Sequence, residues 1–114
     1  MATSEDYIEF VIERLESAGT HLEFWYRRMF GEYCVYADEK PLFFVFNNTV
    51  FIKRLAELTD LLAHCDSGEP YPGAKGWAIL DVECEERLGE ILTLLYKVKP
   101  LPKPKRRKRV KQNE

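Results

Sequence analysis

The run Tyr33-Cys34-Val35-Tyr36-Ala37, Asp38-Glu39-Lys40-Pro41, Leu42-Phe43-Phe44-Val45-Phe46, Asn47-Asn48, Thr49-Val50-Phe51-Ile52-Lys53 decides the fold. Three segments rich in aromatic and β-branched residues are separated by two clusters of turn formers, the pattern of an antiparallel meander. Asp38 to Pro41 is a turn signal, and Asn47-Asn48 can supply the positive φ of a tight hairpin. Leu42 to Phe46 is apolar on both faces, which predicts a central strand, covered on both sides or paired against a partner. Upstream, Leu22 to Met29 reads as a further strand, with Gly31 as the bend or bulge that joins it to the meander.

Outside the meander the periodicity changes to that of helices. Ile8, Val11, Ile12 and Leu15 share one face of a helix predicted over 5–18. Ser4 is its N-cap, Glu5 and Asp6 suit the positive end of the dipole, and Gly19 is placed to end it in a left-handed conformation. Downstream, Leu55, Leu58, Leu61 and Leu62 predict a helix over 54–64. Residues 65–76, with three glycines and two prolines, form a 12-residue loop. Trp77 to Val82 is a fifth strand. Leu88, Ile91, Leu92 and Leu95 predict a last helix over 85–97, with Glu85 and Glu86 at its acidic start. The order helix, strands, helix, strand, helix implies an α+β fold of two layers, an antiparallel sheet of about five strands with helices packed on one face. Pro100, Pro102 and Pro104 forbid further helix, so the domain is expected to span 1–99 and residues 100–114 to form a disordered basic tail.

Composition narrows the function classes. With 114 residues, 46% hydrophobic and 32% charged, the chain holds one core and a solvated surface. No apolar run approaches the ~18 residues of a membrane helix. The acidic, polar start lacks the features of a secretory signal, and a cytosolic location is expected. Cys34, Cys65 and Cys84 are widely spaced, and His21 and His64 are far apart in sequence, so reduced thiols, solvated imidazoles and no metal or cofactor are expected. No phosphate-binding glycine loop or nucleophile elbow is present, which argues for a non-enzymatic role. The formal charge of −2 conceals an asymmetry: residues 97–114 carry nine basic residues against Glu114 alone, a net of +8, whereas residues 1–96 carry −10.

Arg27-Arg28-Met29-Phe30-Gly31-Glu32-Tyr33, followed by Val35-Tyr36 and Asp38, resembles the signature of the TfoX/Sxy N-terminal domain family. Val50-Phe51-Ile52-Lys53 is similar to the family strand that follows, and Pro70-Tyr71-Pro72-Gly73-Ala74-Lys75 to the loop of a compact subgroup. The resemblance spans roughly residues 5–104. Cys34 stands where family members often have glycine, and Glu39-Lys40 replaces an Asp-Gly-type turn. The family's C-terminal domain, which resembles a helical DNA-binding module, has no counterpart in these residues. The resemblance implies an α+β fold and a regulatory role linked to transcription and natural competence. Full-length family members act there beside a cyclic-AMP receptor protein.

The candidate contacts follow from residue chemistry. Arg27 and Arg28 can bind an anion or a protein partner, or else pack over aromatic rings and pair with surface acids. Met29, Phe30, Gly31 and Tyr33 form either a contact patch or core with a backbone requirement at the glycine. Lys53 lies at a strand end. Tyr71, Gly73 and Lys75 are expected either to cover a groove near Arg28 or to stiffen a connection. In the tail, Lys103, Lys105, Arg106, Arg107, Lys108, Arg109 and Lys111 could attach nucleic acid without sequence preference, or serve solubility alone. Neutralising about six phosphates would make affinity fall on the order of 10³-fold between 50 and 200 mM salt. The leading reading is a regulatory or protein-interaction module whose partner belongs to the transcription machinery. Its alternatives are a nucleic-acid-binding protein acting through the tail, and a small-ligand or enzymatic domain with a pocket beneath the 65–76 loop. A homodimer through sheet packing is compatible with the apolar strand.

Overall fold

A computed structural model describes residues 3–29 and 32–99. The first helix, α1 (Glu5–Glu16), is capped by Ser4, whose hydroxyl accepts from the Tyr7 amide at 3.1 Å. It buries Ile8, Val11 and Leu15, the face set by the apolar spacing. Gly19 follows at φ 75°, where a side chain would be strained. Strands β1 (Phe24–Met29), β2 (Glu32–Ala37), β3 (Lys40–Phe46) and β4 (Thr49–Lys53) form the expected meander. Asp38, Asn47 and Asn48 take the positive φ that their turns demand, between 52° and 56°.

The sheet has six strands, not five. Trp77–Ile79, here β6, pairs with β4, and the two-residue β5 (Ser67–Gly68) adds an edge beside it. The spatial order is β1-β2-β3-β4-β6-β5, antiparallel throughout. No periodicity can announce β5, because two residues carry none. β6 stops early because Asp81 turns the chain, its carboxylate accepting the Glu83 and Cys84 amides at 3.1 and 3.3 Å. β3 is central as expected, and a bulge near Val35 and Tyr36 leaves both Leu42 and Phe43 buried.

The segment predicted as a helix over 54–64 is a single 3₁₀ turn (Ala56–Leu58) followed by further turns. Its apolar positions were read correctly, since Leu58, Leu61 and Leu62 are buried. The backbone departs from a helix because Arg54 captures the carbonyls of Leu62 and Cys65 at 3.1 and 2.7 Å, folding the segment back on its own start. The last helix, α2 (Leu88–Val98), begins three residues later than its acidic cluster suggested and buries Leu88, Ile91, Leu92 and Leu95. Gly89 lets it approach the end of α1: a Cβ there would stand 3.2 Å from the Ala18 carbonyl oxygen.

Alternation along the strands sorts the sheet into two faces. Phe24, Tyr33, Val35, Ala37, Phe43, Val45, Val50, Ile52 and Ala78 join the buried helix residues in one core. The alternate residues face away from the helices. A carboxylate fastens the N-terminal segment to this frame: Glu32 Oε1 accepts from the Thr3 amide (3.0 Å), the Thr3 hydroxyl (2.6 Å) and the Asn47 amide (3.1 Å). Among the described residues, no helix is long and apolar enough to cross a membrane.

Candidate partner-binding face

The helix-free face of the sheet is aromatic and cationic. Its central row follows the strand register, Arg27–Cys34–Phe44–Phe51–Ile79, across β1, β2, β3, β4 and β6. Trp25 and Tyr36 form a cross-strand stack at 4.2 Å between ring centroids, and the Trp25 indole N–H donates to the Asp38 carbonyl at 2.6 Å. Phe44 stacks on Trp77 at 5.1 Å, Phe46 lies 5.7 Å from Phe44, and Tyr71 lies 6.2 Å from Phe46. Cys34 and Phe51 are buried among these rings, on a face against which none of the described helices packs. Trp25 is 40% exposed and Tyr71 48%, the two large hydrophobic side chains left open to solvent among the described residues.

Cations are held against these rings. The Arg27 guanidinium lies 5.8 Å from the centre of the Tyr36 ring, and Lys53 Nζ lies 5.1 Å from that of Trp77. Lys53 also donates to the Lys75 carbonyl at 3.4 Å. Lys99, just past α2, joins Cys34, Pro41, Phe44 and Trp77 around a cavity of about 100 Å³. Burial depresses the Lys99 ammonium pKa below its ordinary value, with the nearby Lys53 acting in the same direction. Burial likewise pushes the Cys34 thiol up, which makes it a poor nucleophile. On the helix side, α1 carries Glu5, Asp6, Glu9, Glu13 and Glu16 against Arg14. α1 thus brings a net charge of −4 to the layer opposite the cation–aromatic surface.

This geometry divides the candidate residues. Arg27 belongs to the helix-free face. Arg28 belongs to the opposite one, where its guanidinium donates to the Tyr33 hydroxyl at 3.0 Å and lies over that ring. Tyr33 is 2% exposed and meets Tyr26 edge-on at 5.2 Å, so its ring serves the core. Strand alternation is the reason: consecutive residues cannot present one surface. Met29 is half-buried at the end of β1. Lys53 meets the Lys75 backbone at the β4–β6 side, Tyr71 lies instead against Phe46 of β3, and Gly73 takes φ 86° in the loop. The loop therefore does not cover a groove near Arg28, which sits on the far edge strand. Along the loop itself runs a groove of about 270 Å³ bordered by Ser67, Glu69, Lys75 and Trp77. Phe30, Gly31 and the cations Lys103, Lys105, Arg106, Arg107, Lys108, Arg109 and Lys111 lie outside the described residues.

Trp25, Tyr36, Phe44, Phe46 and Trp77 were not among the residues singled out from the sequence. The alternation of β1 and β3 contained the signal, but which alternate set faces helices is set by chain reversal and packing.

No family model matches the chain. It is 36% identical over 110 residues to a Spirochaeta aurantia protein, the "uncharacterized 12.7 kDa protein in trpE 5′ region". That alignment covers 95% of this chain and 93% of its relative.

Proposed function

We propose that this chain, which belongs to the same family as the Spirochaeta aurantia 12.7 kDa protein, is a non-enzymatic regulatory module that binds an acidic protein partner on the helix-free face of its sheet. The observation that carries this reading is the half-exposed array of Trp25, Tyr36, Phe44, Phe46, Trp77 and Tyr71 with Arg27 and Lys53 held over its rings. Interface cores are enriched in aromatic residues, methionine and arginine, and their hot spots in tryptophan, tyrosine and arginine. Rings pinned by stacking lose little side-chain entropy on binding, so more of the contact energy becomes affinity. The regulatory part of the proposal rests on the likeness of Arg27–Tyr33 and Pro70–Lys75 to the TfoX/Sxy N-terminal domain, which would place the partner in the transcription machinery.

The test compares proteins retained from extract by the wild-type chain, by Arg27→Glu/Lys53→Glu, and by Arg28→Ala as an opposite-face control. Selective loss from the charge-reversed variant, with its fold intact by circular dichroism, supports the reading. An identical retained set from both variants would sink it. The tail reading is separated by titrating duplex DNA against the full chain and a truncation after Lys99: salt-sensitive binding lost on truncation would assign nucleic-acid attachment to the tail.

A further inference from the structure

On the helix side of the molecule, away from the partner face, folding brings the adjacent metal-ligating side chains of His64 and Cys65 against a third, Glu85, some twenty residues further along the chain. His64 Nε2 lies 2.8 Å from Glu85 Oε1 and 3.8 Å from Cys65 Sγ. The three ligand atoms all lie within 4.8 Å of one another. We propose that His64, Cys65 and Glu85 form a zinc site with three protein ligands and a fourth position open to solvent.

The distances suit the ion. Tetrahedral zinc with bonds of about 2.0–2.3 Å places its ligand atoms roughly 3.3–3.8 Å apart. The Cys65–His64 separation already fits, and the His64–Glu85 contact needs to open by about half an ångström. Charge fits as well. A thiolate and a carboxylate against Zn²⁺ and a neutral imidazole sum to zero, which a half-buried site tolerates. The Glu85 side chain is only 7% exposed, and its ion-pair partner among the described residues is His64 alone, so a divalent cation would supply a counter-charge. Sulfur and imidazole ligands favour zinc over magnesium or calcium.

The supporting shell is in place on both sides. Arg54 holds the Cys65 carbonyl at 2.7 Å, fixing the backbone that carries two ligands. Glu85 is held from the other segment by its amide on the Asp81 carbonyl (3.0 Å) and by Oε2, which accepts the Arg87 amide at 3.1 Å. A groove of about 420 Å³ lined by His64, Asp81, Cys84, Glu85, Glu86 and Arg87 gives the ion and its fourth ligand access. On binding, the S–H bond of Cys65 breaks, its proton goes to solvent and the sulfur lone pair forms the bond to zinc. His64 binds through the Nε2 lone pair, and nothing is oxidised or reduced. The ion would join the turns after Arg54 to the start of α2.

The experiment uses the full chain stripped by a chelator and titrated with Zn²⁺ by calorimetry and with Co²⁺ by absorbance. One equivalent should bind with proton release, and Co²⁺ should give a thiolate charge-transfer band. His64→Gln, at an exposed position that folding tolerates, and Cys65→Ser should each weaken zinc binding by at least ~10-fold. Cys34→Ser and Cys84→Ser should not. Absence of the cobalt–thiolate band, or unchanged zinc affinity in Cys65→Ser, would overturn the proposal.

Discussion

Removing the Glu32 carboxylate should cost this fold far more than its position at the end of a strand suggests. Glu32→Ala deletes the acceptor for the Thr3 amide, the Thr3 hydroxyl and the Asn47 amide, at 3.0, 2.6 and 3.1 Å. The Asn47 amide can turn to water, because Asn47 is exposed. Thr3 is 4% exposed, so its groups lose a charged partner with little solvent to replace it. Hydrogen bonds to charged groups contribute about 1.5–3 kcal/mol each, and partial exposure of Glu32 brings the pair to roughly 2–3 kcal/mol. For a domain of this size that is a fall in Tm on the order of 10–20 °C. Urea unfolding followed by tryptophan fluorescence should show a lower midpoint with an unchanged slope. Glu39→Ala, at an exposed acid in the adjacent hairpin, should stay within about 0.5 kcal/mol of wild type. If the two variants unfold together, the Glu32 network contributes nothing and α1 is anchored by apolar burial and by its other hydrogen bonds, from the Ser4 amide to Asn48 and from Arg14 to the Val82 and Glu83 carbonyls.

Gly68→Ala should destabilise by about 1–3 kcal/mol in the same assay, because a Cβ there would lie 2.8 Å from the Phe51 ring and 3.0 Å from Ile79. Arg54→Met should free the carbonyls of Leu62 and Cys65 and speed amide hydrogen exchange across 55–66 while β1–β3 stay protected. Lys99→Met should raise stability at neutral pH, since a lysine whose folded pKa is depressed binds fewer protons folded than unfolded between the two values. Wild-type stability then rises as pH climbs from the folded pKa to the ordinary lysine value, and the gap between variant and wild type should narrow over that window.

The sequence by itself determined the elements whose periodicity is long enough to read. Ile8–Leu15 and Leu88–Leu95 specify helical stripes, and the turns at Asp38 and Asn47-Asn48 specify the meander, because side-chain spacing and backbone φ preference are local properties. The sixth strand, the 3₁₀ turn in place of a helix over 54–64, and the late start of α2 were decided by tertiary contacts. Two residues of β5 pair only because β6 is there, and Arg54 outcompetes helical hydrogen bonding by reaching carbonyls eight and eleven residues away. The same division holds for function. Arg27, Lys53 and Tyr71 could be singled out as exposed chemistry, yet strand alternation separates Arg27 from Arg28, and cross-strand register joins Trp25 to Tyr36 and Phe44 to Trp77. Glu85 reads as a helix-start acid until the fold sets it beside His64 and Cys65, some twenty residues earlier in the chain. Local pattern can say which residues are able to bind. Which of them meet depends on packing between segments distant in sequence, and no local propensity encodes that.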